Sequence, residues 1–309
     1  MNKPLVSVIV PNYRHHKFLE QRLDSILNQT YQEIEVIIID DCSNDNGASK
    51  EIIERYRNNE KVSNIIYNSQ NSGNTFVQWD KGIELAKGEI IWIAESDDFC
   101  ERNMLETLVQ QFTAHKDSAI AYTTYILVNE EGEKISKRKI KNNQHYSGEH
   151  YIKHYLLLGN IIRNASTAIF SRKAAVNIKK DYINYIGSGD LLFWIELAKQ
   201  GSVSIINQQL SYFRQHNNKV TNRKDADGSN LLTERIFFDR IAEEFNISPC
   251  RKYLAIRFRR NKIKNTPFDN IETRKHIEDT WSITGTQYFL GTILYRLFKT
   301  IRSLTNYYI

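Results

Sequence analysis

The sequence predicts an α/β fold: a doubly wound, mostly parallel sheet followed by a helical C-terminal extension. Three observations carry that prediction. Short apolar runs alternate with stretches of helical periodicity over the first hundred residues. The runs 5–10, 34–39 and 90–94 are almost unbroken in apolar character, as strands covered on both faces require. From Leu231 onward no strand pattern remains, and every stretch reads as helix.

The elements follow in order. Residues 5–10 form a first strand, stopped by Pro11. Phe18, Leu19, Leu23, Ile26 and Leu27 recur at helical spacing. A second strand, 34–39, closes in Asp40 and Asp41. A helix over 50–57, a strand over 62–67, a polar loop over 68–73 and a helix running to about Lys87 come next. Gly88 stops that helix, and the strand 90–94 ends in Glu95, Ser96, Asp97 and Asp98. A helix over 104–115 and a strand over 119–128 lead to a hairpin turn at 129–132. The basic segment 134–144 reads as a solvated return strand, and Ser147 as the N-cap of a helix through Leu158. A short strand at 168–170, a helix over 191–199, a pair of strands at 203–206 and 210–213, and a polar loop at 222–228 complete the passage to the helices. Right-handed crossovers place the acidic strand ends on one edge of the sheet, where open α/β sheets bind ligands.

Composition narrows the class. The 309 residues suffice for one large domain with an appendage, or for two domains. Cys42, Cys100 and Cys250 are odd in number and widely spaced, which reads as reduced thiols, not a disulfide frame or zinc site. No signal peptide is expected at the N-terminus, and no stretch supplies the ~20 uncharged residues of a membrane span. Residues 251–309 hold twelve Lys/Arg against four Asp/Glu, a balance of +8, so with a net charge of +6 the other 250 residues sum to −2. The partner for that charge belongs at the tail.

The chemistry turns on the acidic ends. Three carboxylates packed at a strand end repel unless a cation or a cluster of donors sits among them. Capping of a helix near Asn103 is the competing reading. Neither G-x-G-x-x-G after the first strand nor G-x-x-x-x-G-K-[ST] occurs, which argues against a dinucleotide dehydrogenase or a P-loop enzyme. An acidic crevice that takes a phosphorylated ligand needs a divalent ion, and oxygen ligands suit Mg²⁺ or Mn²⁺.

Five segments in register carry a resemblance. They are Val6-Ser7-Val8-Ile9-Val10-Pro11-Asn12-Tyr13, Ser25-Ile26-Leu27-Asn28-Gln29-Thr30-Tyr31, Asp40-Asp41-Cys42-Ser43-Asn44-Asp45, Gly88-Glu89, and Ala94-Glu95-Ser96-Asp97-Asp98. The chain resembles the family 2 glycosyltransferases of the GT-A fold, closely over about the first hundred residues and more loosely to about His216. The resemblance implies that Pro11 and Tyr13 line a nucleobase pocket, and that Asp41 accepts from a uracil or thymine N–H. It implies that Asp97, last in the family's D-x-D, binds the metal bridging the diphosphate. Glu95, where the first Asp usually stands, and Ser96 fall in the donor site. Asn71 lies in the segment where many members carry a phosphate-facing Arg, and this chain offers only Lys81 there. Asp190 matches the catalytic carboxylate, with Gly189 where Glu is common, and His216 matches a His that closes the site and ligates metal.

The resemblance therefore implies an inverting, metal-dependent transferase. It would move a sugar from a nucleotide-diphospho-sugar, UDP-linked, to a hydroxyl of a saccharide or lipid-linked acceptor in bacterial surface polysaccharide synthesis. A non-catalytic nucleotide-sugar-binding or scaffold protein on the same fold is the alternative. Expected domains are 1–228, with the donor half at about 1–100 and the acceptor half at about 101–228, and a basic helical region at 229–309. In that region Phe289, Leu290, Ile293, Leu294, Leu297, Phe298, Ile301 and Leu304 share one helical face, with Arg296, Lys299 and Arg302 on another. Trp281, Tyr288, Tyr295 and Tyr307 add aromatics. Such a helix lies on an anionic membrane surface or packs on the catalytic domain. No nucleic-acid module is visible. The expected location is cytoplasmic, with the inner membrane face as a peripheral site.

Overall fold

A computed structural model describes residues 3–135, 142–216 and 220–305. The elements run β1 (Val6–Asn12), α1 (His16–Leu27), β2 (Ile34–Asp40), α2 (Ala48–Arg55), β3 (Val62–Tyr67), α3 (Thr75–Leu85) and β4 (Ile90–Ile93). Then come β5 (Phe99–Cys100), α4 (Met104–Thr113), β6 (Ser118–Val128), β7 (Gln144–Tyr146), α5 (Gly148–His154), β8 (Ala168–Ser171), α6 (Arg172–Asn177), α7 (Gly189–Ala198) and β9 (Ser202–Arg214). Five helices follow: α8 (Val220–Ala226), α9 (Ser229–Glu244), α10 (Pro249–Asn265), α11 (Ile271–Thr280) and α12 (Gly285–Thr305). The chain divides into two compact units. The first comprises Met1–Gly148, Ile162–Ile183 and Glu196–His216, and the second Glu149–Ile161, Asn184–Ile195 and Asn217–Ile309.

The first unit holds the whole sheet, in the order β3-β2-β1-β4-β8-β6-β9-β5, with β7 beside β9. Every residue of β1, β2 and β4 is buried, which is why their sequences run apolar without alternation. β1 pairs parallel with β2 and with β4, and β2 with β3. The chain therefore winds outward to β3 and returns to the far side of β1. That reversal makes the carboxyl ends of β1 and β4 a topological switch point. Beyond β4 the sheet is mixed: β8 enters antiparallel between β4 and β6, while β6 and β9 pair parallel. The parallel winding read from the sequence thus holds for the first four strands of the path, and antiparallel pairs enter beyond them.

Several elements differ from the sequence reading. The expected strand pair at 203–206 and 210–213 is the single strand β9. Its polar interruption at Asn207-Gln208-Gln209 is absorbed as a register irregularity opposite Thr123 and Thr124. Both threonine hydroxyls donate to the Gln208 carbonyl, at 2.8 Å from Thr124. The stretch 222–228, read as a loop from its polarity, lies largely in helix α8. Tertiary pairing supplies what composition lacks there: Asp225 lies 3.2 Å from the Lys262 ammonium and accepts from Asn230 at 2.9 Å. The hairpin at 129–132 forms as expected, with Gly132 at φ 88° and Asn129 N–H donating to the Glu133 carbonyl at 2.9 Å. Of the basic return segment, 136–141 lies outside the described residues, and β7 pairs antiparallel with β9.

The second unit is helical. Glu234 on α9 and Arg259 on α10 form a buried ion pair at 2.9 Å, and Arg259 donates to the Leu157 carbonyl at 3.0 Å. Trp281 is fully buried and donates its indole N–H to the Leu231 carbonyl at 3.1 Å. Helix α12 packs on α10: Phe258 meets Tyr295 and Phe298 edge-on, and Gly291 permits close approach to the Tyr253 backbone. Tyr307 and the side chains of Lys299, Ile301, Arg302 and Leu304 lie outside what is described. Among the described residues no helix is long and apolar enough to cross a membrane.

Gly88, just before β4, shows how tightly β1 and β4 are set. A Cβ there would lie 2.5 Å from the Leu5 carbonyl oxygen and 2.7 Å from the Ser7 nitrogen. Backbone cannot yield as a side chain can, so Gly88→Ala is expected to lower stability by about 1–3 kcal/mol. Urea unfolding of the two proteins checks this, and equal midpoints would refute the close approach.

Candidate active site

Three segments of the first unit gather at the carboxyl ends of β1, β2 and β4. The first joins the ends of β1 and β2. Asn12 donates to Asp40 at 2.7 Å, Asp40 accepts from Ser43 N–H at 2.8 Å, and Asp41 N–H donates to the Asn12 carbonyl at 2.8 Å. Arg14 takes a left-handed conformation, φ 57°, anchored by its N–H on the Ser43 hydroxyl at 2.8 Å. Pro11 is buried, whereas the Tyr13 ring is 37% exposed, with the Arg14 guanidinium 5.1 Å from its centre. The side chain of this tyrosine is thus partly exposed beside the Arg14 guanidinium.

The second segment is the 68–74 loop, which closes on Asp41. That carboxylate is buried and accepts from Asn68 at 2.7 Å, Asn71 at 3.1 Å, the Ser72 hydroxyl at 2.7 Å and the Ser72 backbone N–H at 3.0 Å. Its acceptor capacity is filled by the loop. Lys81 donates to Asn68 at 2.6 Å, and Asn68 donates to Gln78 at 2.9 Å. Lys81 therefore joins the Asp41 network.

The third segment is the acidic end of β4, and here the repulsion expected among three carboxylates is relieved by sending each to a different neighbour. Glu95 accepts from the Trp79 indole N–H at 2.8 Å. Asp98 accepts from Asn164 and Ser166, both at 2.7 Å, and from the Arg214 backbone N–H at 3.1 Å. Asp97 faces His216, whose Nε2 lies 3.0 Å from its Oδ2. Ser96 is buried, with its hydroxyl 2.9 Å from His15 Nδ1. Burial, reinforced by the Asp97 charge, pushes the Glu95 carboxyl up to about 8 and that of Asp98 to about 6. The fully buried Arg22, 4.9 Å over the Trp92 ring, partly offsets both shifts.

Asp190 belongs to the second unit, in the first turn of α7. It accepts from Leu191 N–H at 2.8 Å and from Asn160 at 2.5 Å. The residue is only half-buried, yet enclosure of its carboxyl, with the Glu234 charge nearby, pushes it up to about 7.

Of the residues singled out from sequence, Glu95, Ser96, Asp97 and His216 meet at one strand end. Asp41, Asn71 and Lys81 share a second network beside it. Sequence reasoning missed His15, Arg22, Trp79, Asn164, Ser166 and Arg214. Two of these left a signal: Arg22 interrupts the apolar stripe of α1, and Arg214 stands two residues before His216. The donor set His15, Asp97 and His216 places one ligand atom from each within 4.8 Å of the others, so the residues fit a divalent cation.

A family model described as glycosyl transferase family 2 matches residues 7–178. The teichuronic acid biosynthesis glycosyltransferase assigned as TuaG in Bacillus subtilis is 28% identical over 223 residues, spanning 72% of this chain and 83% of that protein. The glycosyltransferase GlyG of Streptococcus pneumoniae is 40% identical over 121 residues, 39% of each chain. Among solved structures, Staphylococcus aureus TarS 1–349 in complex with UDP-GlcNAc superposes with a TM-score of 0.59 at 18% identity, covering 99% of this chain and 93% of that one. The fold is thus shared with TarS, and the chain belongs to glycosyl transferase family 2.

The Glu95 shift has a measurable sign. Its folded value, about 8, exceeds the ordinary 4.5, so the native state holds the proton more tightly than the unfolded chain. That contribution is complete below pH 4.5 and is lost as pH rises towards 8. Without divalent ions, Glu95→Gln is expected to flatten the fall in stability between pH 5 and pH 8, measured by urea unfolding at each pH. An unchanged slope would contradict the assignment.

Proposed function

We propose that this family 2 glycosyltransferase moves a sugar from a UDP-sugar to a hydroxyl of a saccharide or lipid-linked acceptor, with inversion, in bacterial surface polysaccharide synthesis. The observation that carries the reading is the Asp97–His216 pair at 3.0 Å, just past the carboxyl end of β4. The TarS complex with UDP-GlcNAc and the teichuronic acid assignment of TuaG support the donor and the product class. In this reading residues 1–100 carry the donor half, 101–228 the acceptor half and 229–309 a basic helical region.

The roles divide as follows. Tyr13 stacks on the base over the floor made by Pro11. Asp41 meets the base edge through the oxygen that Ser72, on an exposed loop, now occupies, while Asn71 and Lys81 hold that loop. Ser96 and Glu95 border the ribose and the diphosphate. Asp97 and His216 would hold Mn²⁺ or Mg²⁺, which would supply positive charge against the departing diphosphate. Asp190 is the general base. As the acceptor oxygen bonds to the sugar C1, the C1–O bond to the β-phosphate breaks and its electron pair leaves with UDP. The acceptor proton passes to the Asp190 carboxylate. A base near 7 is matched to this task, because about half of it is ionised at neutral pH while it still binds a proton well. With one base and no protein nucleophile, the transfer is a single displacement, which inverts C1.

Helix α12 supports the peripheral location. Phe289, Leu290, Ile293 and Leu297 are exposed, while the helix is held on α10 through Tyr295 and Gly291. Arg257 and Arg260 lie against Tyr288, and residues 251–309 carry the balance of +8. An apolar strip flanked by cations suits the cytoplasmic face of an anionic membrane.

Two experiments test the proposal. In a UDP-release assay on the full chain with a panel of UDP-sugars and acceptors, Asp190→Asn is expected to lower turnover by about 10²–10⁴-fold, with donor affinity retained. Full turnover in that variant would remove Asp190 from the chemistry. In co-sedimentation, the chain is expected to pellet with phosphatidylglycerol vesicles and not with phosphatidylcholine alone, and the double change Phe289→Ser, Leu290→Ser should release it. Equal recovery on both lipids would contradict the membrane face.

A further inference from the structure

We propose that His15 is a third protein ligand of the divalent cation, giving it two imidazole nitrogens and one carboxylate oxygen. The inference rests on the reading of Asp97 and His216 above, and adds to it a residue and an ion preference.

The geometry around His15 is specific. The residue sits directly before α1, after the left-handed Arg14 whose N–H is tied to Ser43. Its ring is fixed by the buried Ser96 hydroxyl at 2.9 Å from Nδ1, and stands edge-on to His216 with centroids 5.6 Å apart. Phe18 backs both imidazoles, at 6.2 and 5.8 Å. One ligand atom each from His15, Asp97 and His216 lies within 4.8 Å of the others. An ion with bonds of roughly 2.1 Å keeps adjacent ligands about 3 Å apart and opposite ligands a little over 4 Å apart. The His216–Asp97 separation of 3.0 Å already has the adjacent spacing. The separations from the His15 ligand atom also stay within 4.8 Å, close enough for rotation of the side chains to bring all three onto one ion.

The other two acids are committed elsewhere: Glu95 to Trp79, and Asp98 to Asn164, Ser166 and Arg214. The protein set therefore carries one formal negative charge. A bound divalent ion keeps a net positive charge and free positions for diphosphate oxygens and water. Both ions take oxygen ligands, but Mg²⁺ demands near-ideal octahedral oxygen coordination and gives up water reluctantly, whereas Mn²⁺ stands at the start of the first-row series that binds nitrogen donors. Two nitrogens out of three ligands favour Mn²⁺ over Mg²⁺.

The test is Mn²⁺ titration of the full chain, followed by electron paramagnetic resonance, with and without UDP. His15→Ala is expected to weaken Mn²⁺ binding by about tenfold or more, given that loss of outer-shell partners alone typically costs 10–100-fold. His15→Asp is expected to let Mg²⁺ compete better than it does in the wild type. Electron spin-echo modulation of the Mn²⁺-loaded wild type should show two coordinated imidazole nitrogens, a readout independent of how any variant folds. A single imidazole, or unchanged Mn²⁺ affinity in His15→Ala together with loss in Asp97→Ala, overturns the role of His15 alone. No Mn²⁺ binding by the wild type with or without UDP, or full binding by Asp97→Ala, overturns the metal reading beneath it.

Discussion

The buried Asp98 carboxylate is the constraint on which the site depends. It sits at the end of β4 and accepts from Asn164, Ser166 and the Arg214 backbone, so two distant stretches of chain converge on one side chain. Arg214 is buried and also donates from Nε to the Asp97 carbonyl at 2.9 Å, with its guanidinium over Phe18. With the main chain pinned at 214, His216 two residues later arrives beside Asp97. The Asp97–His216 pair thus depends on the donors that hold the neighbouring Asp98. A buried acid with several donors is costly to lose, because each donor is then left without a partner.

The electrostatics of the β4 end follow the same division. Three acids in four residues would destabilise an ordinary strand end. Here one is satisfied by neutral donors, one by an indole, and one by imidazole. The price of that crowding appears in the raised values of Glu95 and Asp98, where burial outweighs the help of Arg22. In the second unit, Asp190 is raised by the same cause, while Glu234 is lowered despite burial because Arg259 and Lys262 face it. In each case the balance between burial and the nearest cation sets the direction of the shift.

Much of this was legible in the sequence. Continuous apolar runs identified β1, β2 and β4, because both sheet faces are covered. The acidic run after β4 located the strand end, since a strand must end where four polar residues begin. The roles of individual acids were less legible. Glu95, Asp97 and Asp98 look alike in sequence, and they are sorted only by partners 16 to more than 100 residues away: Trp79, His216 and Asn164. His15 carried no periodic signal because it lies in a turn. The merging of two short runs into β9 depends on a bulge that Thr123 and Thr124 hold from a neighbouring strand. The helix at 220–226 depends on Lys262, far along the chain. Local pattern reports burial well; it does not report which distant donor a buried acid finds.

Anomalous diffraction from a crystal of the full chain soaked with Mn²⁺ and UDP tests most directly the claim that the acids of the β4 end are sorted in this way. The account expects one manganese peak within bonding distance of Asp97 and His216, with Asp98 still held by Asn164 and Ser166. A peak bonded to Asp98 or Glu95, or bound UDP with no ion beside Asp97, would contradict it.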